Sequence, residues 1–342
     1  VGGRGSLAAQ NGNHRAARIM MRQDETRALW ITGPEHVEIC ATQIAPGTDD
    51  CVIETLFSGI SRGTERLIFE NRVPASEHET MRAPFQEGQF PYPVKYGYSA
   101  VGRVISGPGA GKVVFALYPH QVRFACPPAA AVPVPGDVPA ARAVLAANME
   151  TALNIVWDAR VQPGDRVAVV GAGTVGALVG YLAARIPATE VCLVDVDAKR
   201  ATLAAALGCG FAAPQDAPRE ADVVIHASAS DAGLATALSL AGREAAVVEA
   251  SWFGTGHTQV PLGGAFHQRR LRLVASQVGG IPADHAARWT YRRRLETALR
   301  LLADPSLDVI ISGESAFDDL ARDYATILRA PDTLCHRVRY DV

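Results

Sequence analysis

The apolar positions along the chain change their period once, and the change divides the sequence. Between about Arg27 and Pro135, short β-rich runs are separated by Gly and Pro: Ala28–Ile31, Val37–Cys40, Cys51–Phe57, Gly97–Ser106, Lys112–Ala116 and Gln121–Ala125. Runs of this length with turn residues between them predict strands, and their succession without helical repeats predicts a small β-barrel. From about Ala143, helix and strand patterns alternate. Strands are expected at Arg166–Val170, Glu190–Val194, Ala221–His226, Ala245–Glu249 and Leu271–Ser276, with helices between them. That alternation predicts a parallel sheet covered on both faces and joined by right-handed crossovers. The tail adds a strand at Val309–Ser312 and extended chain near His336–Tyr340, expected to return to the first domain. The fold class is therefore α/β plus β. Its expected division is an extension over 1–21, a barrel domain over 22–142, a parallel-sheet domain over 143–306 and a C-terminal segment over 307–342.

The first strand of the second half, Arg166–Val170, runs into the glycine pattern Gly171-Ala-Gly-Thr-Val-Gly176. Gly171 suits a tight strand-to-helix turn, Gly173 lets the backbone approach a pyrophosphate, and Gly176 allows close helix-to-strand packing. Amides at the helix start, around Thr174 and Val175, would face the anion. Val175, Leu178, Val179, Leu182 and Ile186 then recur at helical spacing, and Pro187 ends the run. A second strand ends at Asp195, where a carboxylate can accept both hydroxyls of a ribose. These parts make a Rossmann dinucleotide-binding unit. A phosphate on that ribose would lie about 4 Å from the carboxylate, costing on the order of 4 kcal/mol at a dielectric near 20, or roughly three decades of affinity. NAD(H) is thus expected over NADP(H), although Lys199 and Arg200 could offset the repulsion. Ala227, Ser228, Ser251 and Trp252 follow later strands and should line the crevice for the nicotinamide half, with Ala275–Gly279 closing the wall.

Composition narrows the class further. The 342 residues suffice for two cores, and 33 Lys and Arg against 35 Asp and Glu leave a net charge of −2, which gives no reason to expect a nucleic-acid partner. The cluster Arg292–Arg294 reads as the wet face of a helix. No apolar stretch is long enough to span a bilayer. The six cysteines, at 40, 51, 126, 192, 209 and 335, contain no C-x-x-C pair, so they read as reduced core residues of a cytoplasmic protein. The same absence argues against a four-cysteine structural zinc lobe. Val1–Met20, rich in Gly, Asn, Ala and Arg, lacks the apolar core of a secretory signal and reads as a disordered extension, with Met20 or Met21 the expected start.

A barrel followed by a Rossmann domain, with Val161-Gln-Pro-Gly-Asp-Arg-Val just before the glycine pattern, resembles the medium-chain dehydrogenase/reductase superfamily of zinc alcohol dehydrogenases and quinone reductases. Ser58-Gly-Ile-Ser-Arg-Gly-Thr-Glu65 with Tyr96-Gly-Tyr-Ser-Ala-Val-Gly102 is similar to the branch containing bacteriochlorophyllide dehydrogenase. The resemblance implies a GroES-like barrel, a nicotinamide cofactor and a homodimer through edge strands of the nucleotide domain. It also implies where zinc ligands would stand, and the chain departs from the pattern there. Ser61 replaces the first Cys, Gly97-Tyr98-Ser99 replaces Gly-His-Glu, and the third ligand falls near Ala146 or Ala147. A hydroxyl, a phenol and a methyl group cannot replace thiolate, imidazole and carboxylate around Zn2+, so no metal site is expected. Glu65 and Glu150 are at best a salvage pair and read more simply as polar residues at a cleft or surface. His226, ending an apolar strand, reads as a packed or capping residue.

Without zinc, hydrogen-bond donors must stabilise the charge that develops on a substrate oxygen. Tyr98 stands at a former ligand position and is the leading catalytic candidate, with Ser61 and Thr64 in support. The alternative is that Tyr98 packs beside Tyr96. Arg62 follows the former first ligand and is expected to bind the pyrophosphate. The stretch Phe69–Tyr96, with Met81, Phe85, Phe90 and Tyr92, is long for a connection and is either an apolar lid over a flat substrate or a loop packed on its own barrel. These readings predict an NAD(H)-dependent, zinc-independent oxidoreductase that transfers hydride to or from a hydrophobic alcohol or carbonyl compound. The alternatives are a quinone- or enoyl-type C=C reductase and a catalytically inactive NAD-binding structural or regulatory protein.

Overall fold

The computed structural model describes residues 25–341. The expectation of an N-terminal extension with its start at Met20 or Met21 lies outside them. Strands β1 (Glu25–Gly33), β2 (His36–Gln43) and β3 (Cys51–Ser61) open the barrel, and helix α1 (Arg62–Phe69) follows directly on β3. After a long irregular stretch come β4 (Glu87–Gly88), β5 (Val94–Lys95), β6 (Ala100–Ser106), β7 (Val113–Ala116), β8 (Arg123–Cys126) and β9 (Val132–Pro133). Helices α2 (Ala140–Ala143) and α3 (Ala146–Ala159) lead into the second half.

The parallel sheet alternates β10 (Arg166–Val170), α4 (Thr174–Ala183), β11 (Glu190–Val194), α5 (Arg200–Ala206), β12 (Gly210–Ala212), β13 (Ala221–His226), α6 (Asp231–Leu240), β14 (Ala241–Glu249) and β15 (Arg272–Ala275). Its order, β12-β11-β10-β13-β14-β15, reverses direction on either side of β10, which makes the doubly wound arrangement. Val167–Val170 and Val223–His226 are buried throughout, as expected for strands covered on both faces. Helix α4 lies close on the sheet: a Cβ at Gly180 would come within 2.6 Å of Leu193 Cδ2.

Helices α7 (Ala283–Ala286) and α8 (Tyr291–Leu301) precede β16 (Ile311–Ala316), α9 (Leu320–Arg329) and β17 (Cys335–Arg339). The last strand pairs antiparallel with β3, Cys335 opposite Ser61 and Arg339 opposite Phe57, so the chain's end completes the barrel sheet β16-β17-β3-β6-β7-β9. The strand expected at Val309–Ser312 begins at Ile311, because Pro305–Ile310 forms a 3-10 turn capped by Asp304. Four apolar clusters result among the described residues, of which two bear on the site. One joins α3, α4, α8 and the sheet, and the other packs α1 and α9 under the barrel with Phe90, Tyr96, Tyr324 and Tyr340.

The six cysteines are free thiols; Cys51, Cys126, Cys209 and Cys335 are buried, whereas Cys40 and Cys192 are only partly so. Gly180→Val should drive a branched side chain into Leu193 and lower stability by about 1–3 kcal/mol, the usual cost of overpacking, measurable as a reduced denaturation midpoint.

Candidate functional site

The turn after β10 is shaped by contacts that side chains would prevent. Gly171 has φ +104° and donates its amide to Val194 O at 2.8 Å. A Cβ there would meet Ser228 N at 2.8 Å, and one at Gly176 would sit 1.9 Å from Gly171 O. Gly173, in contrast, has open space beside it and stands at the start of α4, where no side chain caps the helix. Thr174 and Val175 form the first turn, partly exposed. Uncapped amides facing open space at the start of a ten-residue helix suit an anion.

Asp195 completes this cradle. Its Oδ2 accepts the Ala172 amide at 2.7 Å and its Oδ1 the Asp197 amide at 2.9 Å, which fixes the carboxylate to the glycine turn. Each oxygen keeps further acceptor capacity for ribose hydroxyls. Arg62 and Arg200 approach from the two domains and meet the end of α9 and the turn after it. Arg62 Nε donates to Leu328 O at 3.0 Å, and Arg200 Nη2 to Pro331 O at 2.8 Å. Burial, followed by repulsion from Arg66 and Arg200, lowers the pKa of the Arg62 guanidinium. Arg200 also pairs with Asp197, Nε to Oδ2 at 3.8 Å.

At the carboxyl ends of β13 and β14 the polar side chains bond to each other. His226 is fully buried, with Nδ1 2.6 Å from Glu249 Oε2 and Nε2 2.7 Å from Ser228 Oγ. Ser251 Oγ accepts the Ala229 amide at 3.0 Å. His226 is therefore a packed residue. Ser228 and Ser251 bond to neighbouring groups at these strand ends, the Ala227 amide donates to Val170 O at 2.8 Å, and Trp252 packs against the barrel core.

Across from this crevice the structure gathers all three predicted catalytic residues. The side chains of Ser61 and Thr64 lie near the Tyr98 hydroxyl and act to lower its pKa, but burial outweighs them and, with a lesser push from nearby Glu65, raises it to about 12. Asn148 Nδ2, at the start of α3, lies 3.5 Å from Ser61 Oγ. Tyr98 also meets Tyr96 edge-on, ring centroids 6.0 Å apart, so packing and polar contact coexist. Ser99 is turned away and donates to Val144 O, while Ala146 and Ala147 are buried. A phenol, two hydroxyls, an amide and methyl groups do not fit Zn2+. Among the described residues, no three His, Cys, Asp or Glu side chains are grouped as metal ligands.

Other sequence expectations are corrected here. Glu65 is neither at a cleft nor at the surface: it is fully buried beneath Ser61. Its Oε1 accepts the Ser61 amide at 2.7 Å, and its Oε2 accepts the Tyr324 hydroxyl at 2.7 Å and lies 3.1 Å from His120 Nε2. The chain continues from His120 Nδ1 to Ser58 Oγ, 2.7 Å, and on to the Tyr340 hydroxyl, 2.9 Å. Reading the sequence missed His120, Ser58, Tyr324 and Tyr340; the only local signal was Glu65 placed one helical turn after Ser61. Glu150 is buried elsewhere, 3.0 Å from Arg294, so the two carboxylates share no site. Arg294 is itself 2% exposed, unlike the solvated Arg292 and Arg293 expected of the whole cluster. The stretch between Phe69 and Tyr96 is packed on its barrel: Phe90 is in the core, and Tyr92 donates to Ile68 O at 2.8 Å.

No protein-family model matches the chain. Among proteins of known activity it is similar to the D-guloside 3-dehydrogenase of Escherichia coli K12, 29% identical over 197 residues, 53% of each chain. The chain spans about half the length of the curated relatives it matches. Among solved structures it is similar to a zinc-binding dehydrogenase from Sinorhizobium meliloti 1021 bound to NADP, with TM-score 0.74, 19% identity and coverage of 93% and 100% of the two chains. L-idonate 5-dehydrogenase from Escherichia coli gives TM-score 0.75, 15% identity and coverage of 92% and 98%. The fold is that of the zinc-type medium-chain dehydrogenases. An alcohol dehydrogenase from Escherichia coli CFT073, complexed with NADH, shares it at TM-score 0.73 and 15% identity, over 93% and 100% of the chains.

His120→Leu removes the imidazole between Glu65 and Ser58. It should lower stability by about 1–3 kcal/mol for each buried group left unpaired, read by thermal or urea unfolding.

Proposed function

We propose that the chain is an NAD(H)-dependent oxidoreductase that moves hydride between the nicotinamide and a secondary alcohol or its ketone, without a catalytic metal. The observation that carries this reading is the gathering of Tyr98, Ser61, Thr64 and Asn148 in the barrel domain, in a chain whose parallel-sheet domain has an open glycine turn. When bound, the nicotinamide ring supplies the carbon that gives or takes hydride. The chain's own residues do the rest. The amides around Gly173–Val175 hold the pyrophosphate, Arg62 and Arg200 add positive charge, and Asp195 takes the ribose hydroxyls. Ala227, Ser228, Ser251 and Trp252 line the nicotinamide half.

Hydride transfer to a carbonyl leaves negative charge on oxygen, and a donor aimed at that oxygen lowers the barrier. Tyr98 is suited to the task because burial keeps its hydroxyl protonated to about pH 12, so it donates across the working range. Ser61 and Thr64 orient the phenol and can exchange its proton. Asp195 favours NAD(H) over NADP(H).

The substrate class follows from the same side chains. Phe90 and Tyr92 are folded onto the barrel and are not available as a lid over a flat hydrophobic substrate. Four neutral hydrogen-bonding groups favour a hydroxyl-bearing one, and the similarity to D-guloside 3-dehydrogenase points to a sugar or glycoside. The edge strand β15, with Leu273 41% exposed, is the surface expected to pair in a homodimer.

NADH fluorescence titration should show tighter binding than NADPH and a clear weakening in Asp195→Ala. Tyr98→Phe should lower kcat by about 10²–10³ with NADH affinity retained. Turnover across a panel of glycosides, hydrophobic alcohols and enones identifies the chemistry. Reduction of enones alone would reverse the assignment, and cofactor binding with no turnover at all would favour a non-catalytic protein. One tightly bound zinc per chain, lost on changing Ser61 or Tyr98, would overturn the metal-free mechanism.

A further inference from the structure

Helix α3 carries polar side chains at Glu150, Asn154 and Asp158, spaced four residues apart and so on one face. That face holds the loop that follows β15. Asp158 Oδ2 accepts Ser276 Oγ at 2.6 Å, and Asn154 Nδ2 donates to the same carboxylate at 3.0 Å and reaches Gln277 O at 3.5 Å. Arg294, on α8, closes the set. Its Nε donates to Glu150 Oε1 at 3.0 Å, its Nη1 to Asn154 Oδ1 at 2.5 Å and its Nη2 to Val278 O at 2.6 Å. The Tyr291 hydroxyl donates to Gly279 O at 2.7 Å. Each residue from 276 to 279 is thereby tied to a helix through a side chain or its carbonyl.

The arrangement is costly for packing alone. Arg294 is 2% exposed, Glu150 4% and Asn154 0%. Buried ion pairs commonly add little stability over well-packed apolar residues. Burial raises the pKa of the Glu150 carboxyl, and the Arg294 charge and hydrogen bond only partly oppose that. What the fork does provide is orientation, since a planar guanidinium fixes three acceptors at once.

The loop held in this way lies at the carboxyl end of β15, beside the end of β14 that carries Ser251 and Trp252. That is the side of a doubly wound sheet where ligands bind. The same helix α3 begins at the other half of the site, where Asn148 reaches Ser61. Resting on the function proposed above, we propose that Arg294 is a positioning residue: through α3 it sets the loop 276–279 as a wall for the nicotinamide ring, at a fixed distance from the Tyr98 cluster. Hydride transfer needs the reacting carbons about 3–3.5 Å apart, and a misplacement of about 1 Å can cost on the order of 10² in rate.

The test compares NADH with ADP-ribose, which keeps the adenine, riboses and pyrophosphate but has no nicotinamide. Wild type should bind both. Arg294→Lys keeps a charge beside Glu150 but cannot fork, so NADH affinity should fall, ADP-ribose affinity should stay at the wild-type value, and kcat should drop by about 10². Ser276→Ala with Tyr291→Phe frees the same loop without touching the buried ion pair. It should give the same split, which keeps the test open should the Arg294 variant fail to fold. Equal weakening of both ligands, or unchanged NADH affinity and kcat in a folded variant, would overturn the positioning role. A wild-type chain that binds neither ligand would overturn the functional reading, and this inference with it.

Discussion

A carboxylate with no access to water stands at the centre of the barrel domain, and the geometry of the candidate site follows from satisfying it. Glu65 belongs to a helix that starts directly after β3, so its side chain reaches back to the Ser61 amide and fixes the turn between strand and helix. Its other oxygen takes Tyr324 from α9 and faces His120 from the loop before β8. An ionised or partly satisfied carboxylate in such a place would cost several kcal/mol. Tyr324 and His120 come from distant parts of the chain, and His120 is tied through Ser58 to Tyr340, so the barrel, the C-terminal helix and the chain after the last strand must all be in place together. Ser61, which lies beside Tyr98, takes its position from that requirement.

Helix α3 performs the corresponding task between the domains. One end touches Ser61 through Asn148, and the helix packs on α4 and α8, the first of which starts at the glycine turn. The two halves of the crevice are thus referred to one rigid element. A rigid element shared in this way can hold several neutral groups in register. Neutral donors stabilise charge weakly in water but well where water is excluded and the dipoles are already oriented. The elevated pKa of Tyr98 reports that environment.

The polar sets also show why counting charged residues misleads. Arg292, Arg293 and Arg294 are adjacent, yet only Arg294 falls on the face of α8 that meets α3. Glu65 and Glu150 look alike in sequence, yet each is paired in a separate buried set.

Local sequence determined the Rossmann unit, because its elements are short-range. The run Arg166–Val170, the three glycines and Asp195 each act within one βαβ unit, and periodicity together with steric limits at the turn leaves few alternatives. The change of period at Ala143 was legible for the same reason, and so was the gathering of Ser61, Thr64 and Tyr98 once the resemblance aligned them. Tertiary structure alone decided the rest. His120, Tyr324 and Tyr340 are separated from Glu65 by 55, 259 and 275 residues, and no local pattern marks side chains that meet only after the last strand pairs with β3. The aromatic residues before Tyr96 carry no sign of which way they face, since a ring suits a core and a lid equally. Phe90 and Tyr96 are buried because they fill the space beneath α1 and α9, and only the assembled fold contains that space.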